Sequence, residues 1–346
     1  MTVELEISAE GALGRIALNR PQAINALSRG MIEGIVETLE RWRDDSSIGA
    51  VLFVGNGAKG FCSGGDVRAA RALVIEGRPA DADAYFAAEY GMNRLIATFP
   101  KPLVALTHGI VMGGGIGIAG HCTFRLTQPG ARFAMPESAI GFFADVGVSA
   151  VLAKTTLNRA LLFAMSGVSV GPPDALAMGL ADAMIDPAWV ATLPADLAAA
   201  AASSRPLDAI GRLIGAHSMT AGNAVFCTLA DQLPDTEPRS PGEFVSRVGA
   251  VPALSEVAAL LQTRCPGSLV ATFQGQLAAR RLMDVGRTLD MDLRLARVMA
   301  RRPDFAEGVR AVLVDKDQTP RWSPATLAAF EAQADAAPIL AALESP

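Results

Sequence analysis

Apolar runs of strand length alternate with helical patterns through the first 190 residues. "GRIALNR" reads as a strand that ends at Pro21, and "AVLFVGNG" as a buried strand stopped by Gly and Asn. "KPLVALTHG" is another, with Pro102 at its start, where a missing N–H is tolerated. Between them, "SRGMIEGIVETLERWRDD" places Met31, Ile32, Ile35, Val36 and Leu39 at helical spacing, with Ser28 as its N-cap. "TFRLTQPGARFAMPES" reads as a hairpin or strand pair turned at Pro129-Gly130. Strand–helix alternation of this kind predicts an α/β core over residues 1–190.

Residues 191–346 read differently, as a mostly helical region with a Pro-rich loop at "DQLPDTEPRSPGEF". "QGQLAARRLMDVGRTLDMDLRLARVMARR" predicts one or two long helices, interrupted near Gly286. Half of the 346 residues are hydrophobic and 19% are charged, enough to build a core and too apolar for disorder. The net charge of −5, scattered Lys and Arg and scarce aromatics argue against a nucleic-acid partner. The acidic N-terminal stretch does not resemble a signal or transit peptide, and the Ala-rich "ATLPADLAAAAASS" falls short of a membrane span. Cys62, Cys122, Cys227 and Cys265 form no C-x-x-C pair, so reduced thiols, a cytoplasmic location and no membrane partner are expected.

Several motifs fail on context. "GGGIG" is not G-x-G-x-x-G, and no phosphate-binding G-x-x-x-x-G-K-[ST] occurs. "GVSVG" matches G-x-S-x-G, but a helical pattern precedes it and Pro172-Pro173 follow, where a nucleophile elbow needs a strand and then a helix. His108, His121 and His217 lack metal-ligand spacing, and His108 is expected to meet a backbone carbonyl at a strand end.

Two glycine-rich loops and two carboxylates carry more. "KGFCSGGDVR" and "MGGGIG" each follow a buried strand and could present backbone N–H groups at a helix start. Two such groups aimed at one point make an oxyanion hole; tight turns without catalytic meaning fit the same spacing. "AMPESAIGFFADVG" sets Glu137 and Asp145 among Phe, Met and Ala. Burial there raises a carboxyl pKa and suits a base or a nucleophile. Alternatively, Glu137 serves a helix N-terminus and Asp145 caps the helix beginning "VGVSAVLAK".

"NRPQAINALS", "FCSGGDV", "HGIVMGGGIGIAG" and "FAMPESAIGFFADVG", in this order, resemble the crotonase (enoyl-CoA hydratase/isomerase) superfamily. "GHCTFRLTQPGARFAMPE", "FFADVG" and "DFAEGVRAVLVDKDQTPRW" are similar to its 3-hydroxyisobutyryl-CoA hydrolase branch. The resemblance spans nearly the whole chain. It implies a crotonase-like spiral of ββα units with a mostly helical C-terminal region. It also implies an acyl-CoA substrate, with CoA entering as part of the substrate and no separate cofactor or metal.

Residue by residue, the resemblance puts the oxyanion donors on Gly65 and Gly114 and the adenine-binding segment on Asn25, Ala26 and Leu27, with backbone at Ser63. Lys59 and Arg68 match positions that are often basic and face the CoA phosphates, and Glu89 of "AEYGMN" matches a substrate contact. Hydratases of the superfamily use two glutamates; here one position is Gly117 and the other Glu137. The hydrolase branch instead uses Glu137 with Asp145, eight residues on. Ala144 stands where that branch has Pro, and "VGVSA" replaces a more glycine-rich sequence, which bears on the acyl pocket. The implied activity is thioester hydrolysis of 3-hydroxyisobutyryl-CoA. An enoyl-CoA isomerase or hydratase-type enzyme and a non-catalytic CoA-binding protein are the alternatives. Many superfamily members are trimers or hexamers, which leaves a homo-oligomer open.

Overall fold

The computed structural model describes residues 3–332 and 334–344. In chain order the elements are β1 (Leu5–Glu10), β2 (Leu13–Leu18), α1 (Arg29–Arg43), β3 (Ala50–Gly55), β4 (Gly60–Cys62), α2 (Val67–Ile75), α3 (Pro79–Ala97), β5 (Leu103–Thr107), β6 (Ile110–Met112) and α4 (Gly114–Ala119). Then come β7 (Phe124–Thr127), β8 (Arg132–Ala134), α5 (Val148–Leu152), α6 (Leu157–Ser166), α7 (Pro172–Met178), β9 (Ala183–Ile185), α8 (Leu193–Ala201), α9 (Pro206–His217) and β10 (Ser218–Met219). Helices α10 (Val225–Ala230), α11 (Pro241–Gly249), α12 (Ser255–Gln262), α13 (Pro266–Leu282), α14 (Val285–Ala300) and α15 (Pro303–Val309) follow, with α16 (Leu327–Ala332) and α17 (Ala337–Glu344) last.

The chain divides into two compact units. The first contains residues up to Gly65, Gly91–Phe133 and Val170–Ala224. Its sheet has the order β1-β2-β3-β5-β7-β9-β10, parallel from β2 to β9 and antiparallel at both edges. A smaller sheet has the order β4-β6-β8. Successive strand pairs β3–β4, β5–β6 and β7–β8 each give one strand to the large sheet and the next to the small one. That is the ββα spiral that the sequence implies. It also corrects the reading of "TFRLTQPGARFAMPES": β7 and β8 lie in different sheets and do not form a hairpin. Pro129-Gly130 does turn the chain, with Gly130 at φ +82°, but the turn crosses between sheets.

Helix α1 starts as expected: the Ser28 hydroxyl accepts from the Met31 N–H at 3.2 Å, and Met31, Ile32, Ile35 and Leu39 are buried. Leu193 and Leu197 of α8 and Ile210 and Ile214 of α9 share one core with Leu52, Val104 and Leu126 of the sheet. Burying each such side chain stabilises by roughly 1.5–3 kcal/mol. These contacts explain why the expected boundary near residue 190 marks the edge of neither unit: residues 191–224 supply helices to the sheet's own core.

The second unit gathers Asp66–Tyr90, Ala134–Ser169 and the chain from Val225 onward. The long helical stretch is two helices, and the break falls at Met283-Asp284 rather than at Gly286. Met283 takes the left-handed conformation at φ +49°, and the Asp284 carboxylate caps α14 by accepting from Arg287 N–H at 2.7 Å. Gly286 lies inside the first turn of α14.

The "SAIGFFADVG" segment packs into this unit through its rings. Phe142 stacks on Phe86 of α3, with centroids 5.0 Å apart, and meets Phe305 of α15 at 5.4 Å. Close backbone approach makes that packing possible. A Cβ on Gly141, at φ +73°, would lie 2.2 Å from the Asp304 carbonyl oxygen, and one on Gly308 would lie 2.3 Å from the Ile140 carbonyl carbon. Gly141→Ala therefore combines left-handed strain with a backbone clash. Urea unfolding is expected to show a loss of about 2 kcal/mol or more; unchanged stability would contradict this packing.

Candidate active site

The glycine loops of the first unit lie side by side. Gly113, at φ +47°, precedes Gly114, the first residue of α4, and an ideal Cβ on Gly64 would be 3.5 Å from the Gly114 nitrogen. Among the described residues, the N–H groups of Gly65 and Gly114 make no hydrogen bond. For Gly114 this follows from its place in a first helical turn, where no intrahelical acceptor exists. Gly115 is needed for packing: a Cβ there would meet the Cys62 carbonyl oxygen at 2.5 Å. Gly117 is buried in α4, with its N–H donated to the Gly113 carbonyl.

The Asn25–Leu27 segment threads onto the same loop. Leu27 N–H donates to the Gly64 carbonyl, Ser63 N–H to the Ile24 carbonyl, and the Ser63 hydroxyl to the Ala23 carbonyl. The Asn25 side chain is buried and bonded at both ends. It accepts from Arg20 N–H at 2.8 Å and donates to the carbonyls of Asn56 and Phe61, each at 3.0 Å. Asn25 is thus a buried structural knot in a left-handed conformation at φ +55°. Ala26 is half-buried and Leu27 fully buried. Lys59 is exposed.

In the second unit the structure brings Glu89, Glu137 and Asp145 together and adds two groups that the sequence did not mark. Glu89 and Tyr90 come from α3, Glu137 from the 3-10 turn Pro136–Ile140, Asp145 from the loop before α5, and Asp292 from α14. All five are buried. The Tyr90 hydroxyl donates to Asp145 Oδ2 at 2.6 Å, and Asp292 Oδ2 accepts from Gly147 N–H at 2.8 Å. Glu89 Oε1 and Glu137 Oε2 are buried without a hydrogen-bond partner among the described residues. Arg68 is exposed on α2 and donates to the Leu313 carbonyl.

The Asp145 side chain does not cap α5. Gly147 is that helix's N-cap residue, and only the backbone carbonyl of Asp145 reaches the helix, accepting from Val148 N–H. The carboxylate is engaged by Tyr90 instead. Tyr90 follows Glu89 directly in "AEYGMN", a signal available once Glu89 is marked; Asp292 lies in a plain amphipathic helix and has no local signature.

Burial sets the electrostatics of this cluster. It drives the Glu137 carboxyl well above the usual carboxylate range, and the charges of Asp145 and Glu89 add to it. Glu89 is pushed up to about 8 by burial and then by Asp145. Asp145 is pushed up to about 7 by burial, against the hydrogen bond from Tyr90. Burial also raises Asp292 well above the ordinary value, and the Gly147 N–H opposes it. Carboxyls raised in this way keep their protons to higher pH than exposed ones and are better bases once ionised. Among the described residues, no group of three or more His, Cys, Asp or Glu is arranged to hold a metal ion. The "GVSVG" serine follows α6 rather than a strand, so no nucleophile elbow forms there, and His108 Nε2 meets the Gly57 carbonyl at 2.8 Å.

A family model described as enoyl-CoA hydratase/isomerase matches residues 13–337. The chain is 35% identical over 333 residues to the mitochondrial 3-hydroxyisobutyryl-CoA hydrolase of Xenopus laevis, covering 93% of this chain and 84% of that protein. It is 33% identical over 342 residues to the corresponding human protein, covering 94% and 85%. Among solved structures, it is similar to a carnitinyl-CoA dehydratase from Mycobacterium thermoresistibile, with a TM-score of 0.88 and 30% identity over 100% of this chain and 97% of that one. An enoyl-CoA hydratase from Rhodobacter sphaeroides 2.4.1 gives 0.86 and 29%, over 99% and 98%.

The raised carboxyls have a consequence for stability. A carboxyl with a folded pKa above its unfolded one binds its proton more tightly when folded. Its stabilising contribution is present below the unfolded value and is lost as pH rises through the folded value. For Glu89 that window runs from its ordinary 4.5 to about 8. The melting temperature of the wild type is expected to fall across that window, and Glu89→Gln to flatten the fall. Parallel melting curves for the two proteins would contradict the burial of Glu89.

Proposed function

We propose that this chain, which belongs to the enoyl-CoA hydratase/isomerase family, is an acyl-CoA thioester hydrolase acting on 3-hydroxyisobutyryl-CoA. The observation that carries the reading is the burial of Glu137 together with Asp145, the latter held by Tyr90, in a chain whose Gly117 cannot supply a second hydratase carboxylate. The hydrolases named among the relatives support the same choice.

In this reading the N–H groups of Gly65 and Gly114 polarise the thioester carbonyl as charge develops on its oxygen. Glu137, once ionised, either attacks the carbonyl carbon to give a mixed anhydride or takes a proton from an attacking water. In the first route the C–S bond breaks, CoA leaves as the thiolate, and water then opens the anhydride. In the second, the water oxygen bonds to carbon directly and the thiolate leaves with the same products. Asp145 orients the hydrolytic water or the substrate hydroxyl, with its own position fixed by Tyr90. CoA enters only as part of the substrate, so the reaction needs no separate cofactor.

The similarity to proteins named as a dehydratase and a hydratase favours double-bond chemistry as the second reading. A panel of acyl-CoAs scored for both free thiol and hydration or isomerisation separates the two. Free CoA from 3-hydroxyisobutyryl-CoA is expected to dominate. Glu137→Gln is expected to bind CoA ligands and to lose thiol release by at least about a hundredfold, the lower end for a positioned acid–base group. Near-wild-type thiol release from that variant would rule out the proposed role of Glu137.

A further inference from the structure

The turn that carries Asp145 is strained, and three buried side chains from the C-terminal helices hold it. Val146 has φ +54° and Gly147 has φ +72°, two consecutive residues in the left-handed region. Glycine tolerates that conformation, but a β-branched residue there is an outlier that the surroundings must enforce. Enforcement is visible at three backbone groups. Thr272 Oγ1 of α13 accepts from Ala144 N–H at 3.3 Å, just before Asp145. Asp292 Oδ2 of α14 accepts from Gly147 N–H at 2.8 Å, just after the strained valine. Gln276 Nε2, one helical turn on from Thr272, donates to the Ser149 carbonyl at 3.1 Å.

Thr272, Gln276 and Asp292 are each at most 1% exposed. Burying polar groups this deeply is costly unless they are hydrogen-bonded. None of the three touches the Asp145 carboxylate through a hydrogen bond; all act on the backbone that aims it.

We infer that Thr272, Gln276 and Asp292 are positioning residues, a three-point clamp that holds the Ala144–Ser149 turn in the strained conformation presenting Asp145. This gives the C-terminal helices α13 and α14 a share in the reaction. The inference rests on the proposed role of Asp145 in thioester hydrolysis.

The test is a double-mutant cycle on the full chain between Asp292→Ala and Val146→Gly, read by thiol release from 3-hydroxyisobutyryl-CoA. Asp292→Ala is expected to lower kcat at least about tenfold, as one lost buried hydrogen bond does when its cost reaches the barrier, with little change in KM. Asp292→Asn keeps an acceptor for the Gly147 N–H and is expected to retain most of kcat. With Gly at 146 the left-handed turn no longer needs forcing, so the loss from Asp292→Ala is expected to shrink. A purely packing or charge role predicts the same loss in both backgrounds, and that result would overturn the clamp. Should Asp292→Ala not fold, Thr272→Val against Thr272→Ser asks the same question: the first is expected to lose rate and the second to keep it, and equal rates would overturn the proposal. Hydrogen exchange at the Gly147 amide gives a readout apart from activity. If the wild type released no thiol, the functional reading would fail alone. Faster exchange in Asp292→Ala than in Asp292→Asn would then still support the clamp, and equal exchange would overturn it.

Discussion

Taking carboxylates out of water is the constraint on which the second unit is built. An ionised carboxylate in an apolar interior costs several kcal/mol unless it is paired or hydrogen-bonded. Glu89, Glu137, Asp145 and Asp292 are all buried, and no salt bridge found among the described residues pairs any of them with a cation. The cluster is relieved by only a few neutral donors, chiefly the Tyr90 hydroxyl and the Gly147 N–H. Burial shifts these carboxyls toward their protonated forms, which makes the same residues a stability cost at high pH and better bases once ionised.

Tight packing accompanies that burial. The Phe86–Phe142–Phe305 stack and the backbone contacts at Gly141 and Gly308 close the "SAIGFFADVG" segment against α3 and α15. This gives a physical reason for "DFAEGVRAVL" to accompany the "MPE" segment: Phe305 and Gly308 are fitted to the loop between Glu137 and Asp145. In the first unit glycine works differently. Gly64 and Gly115 let the start of α4 lie against Cys62–Gly65, and among the described residues the N–H groups of Gly65 and Gly114 have no acceptor.

Local sequence signals survived folding where one element decides the outcome. The strand runs, the Ser28 cap and the carboxyls at 137 and 145 were legible for that reason, and the ββα spiral was legible through the family resemblance. What distance decides was not. Pro129-Gly130 marks a turn, but nothing nearby says that β7 and β8 join different sheets. The Asn25 side chain ties together three stretches of backbone, up to 36 residues away, which no local pattern foretells. Asp145 resembled a helix cap because Val148 begins a helix, yet its carboxylate is claimed by Tyr90, 55 residues earlier. Asp292 reaches Gly147 across 145 residues of sequence, a distance at which helical periodicity carries no information.

Burial of Glu137 shows most directly in where its carboxyl loses its proton. A carbon-13 NMR titration of its side-chain carboxyl, assigned by comparison with Glu137→Gln, measures it directly. The midpoint is expected to lie well above the ordinary 4.5. A midpoint at or below the ordinary value would mean that Glu137 is solvated or charge-paired as an exposed carboxylate is, and would contradict its burial.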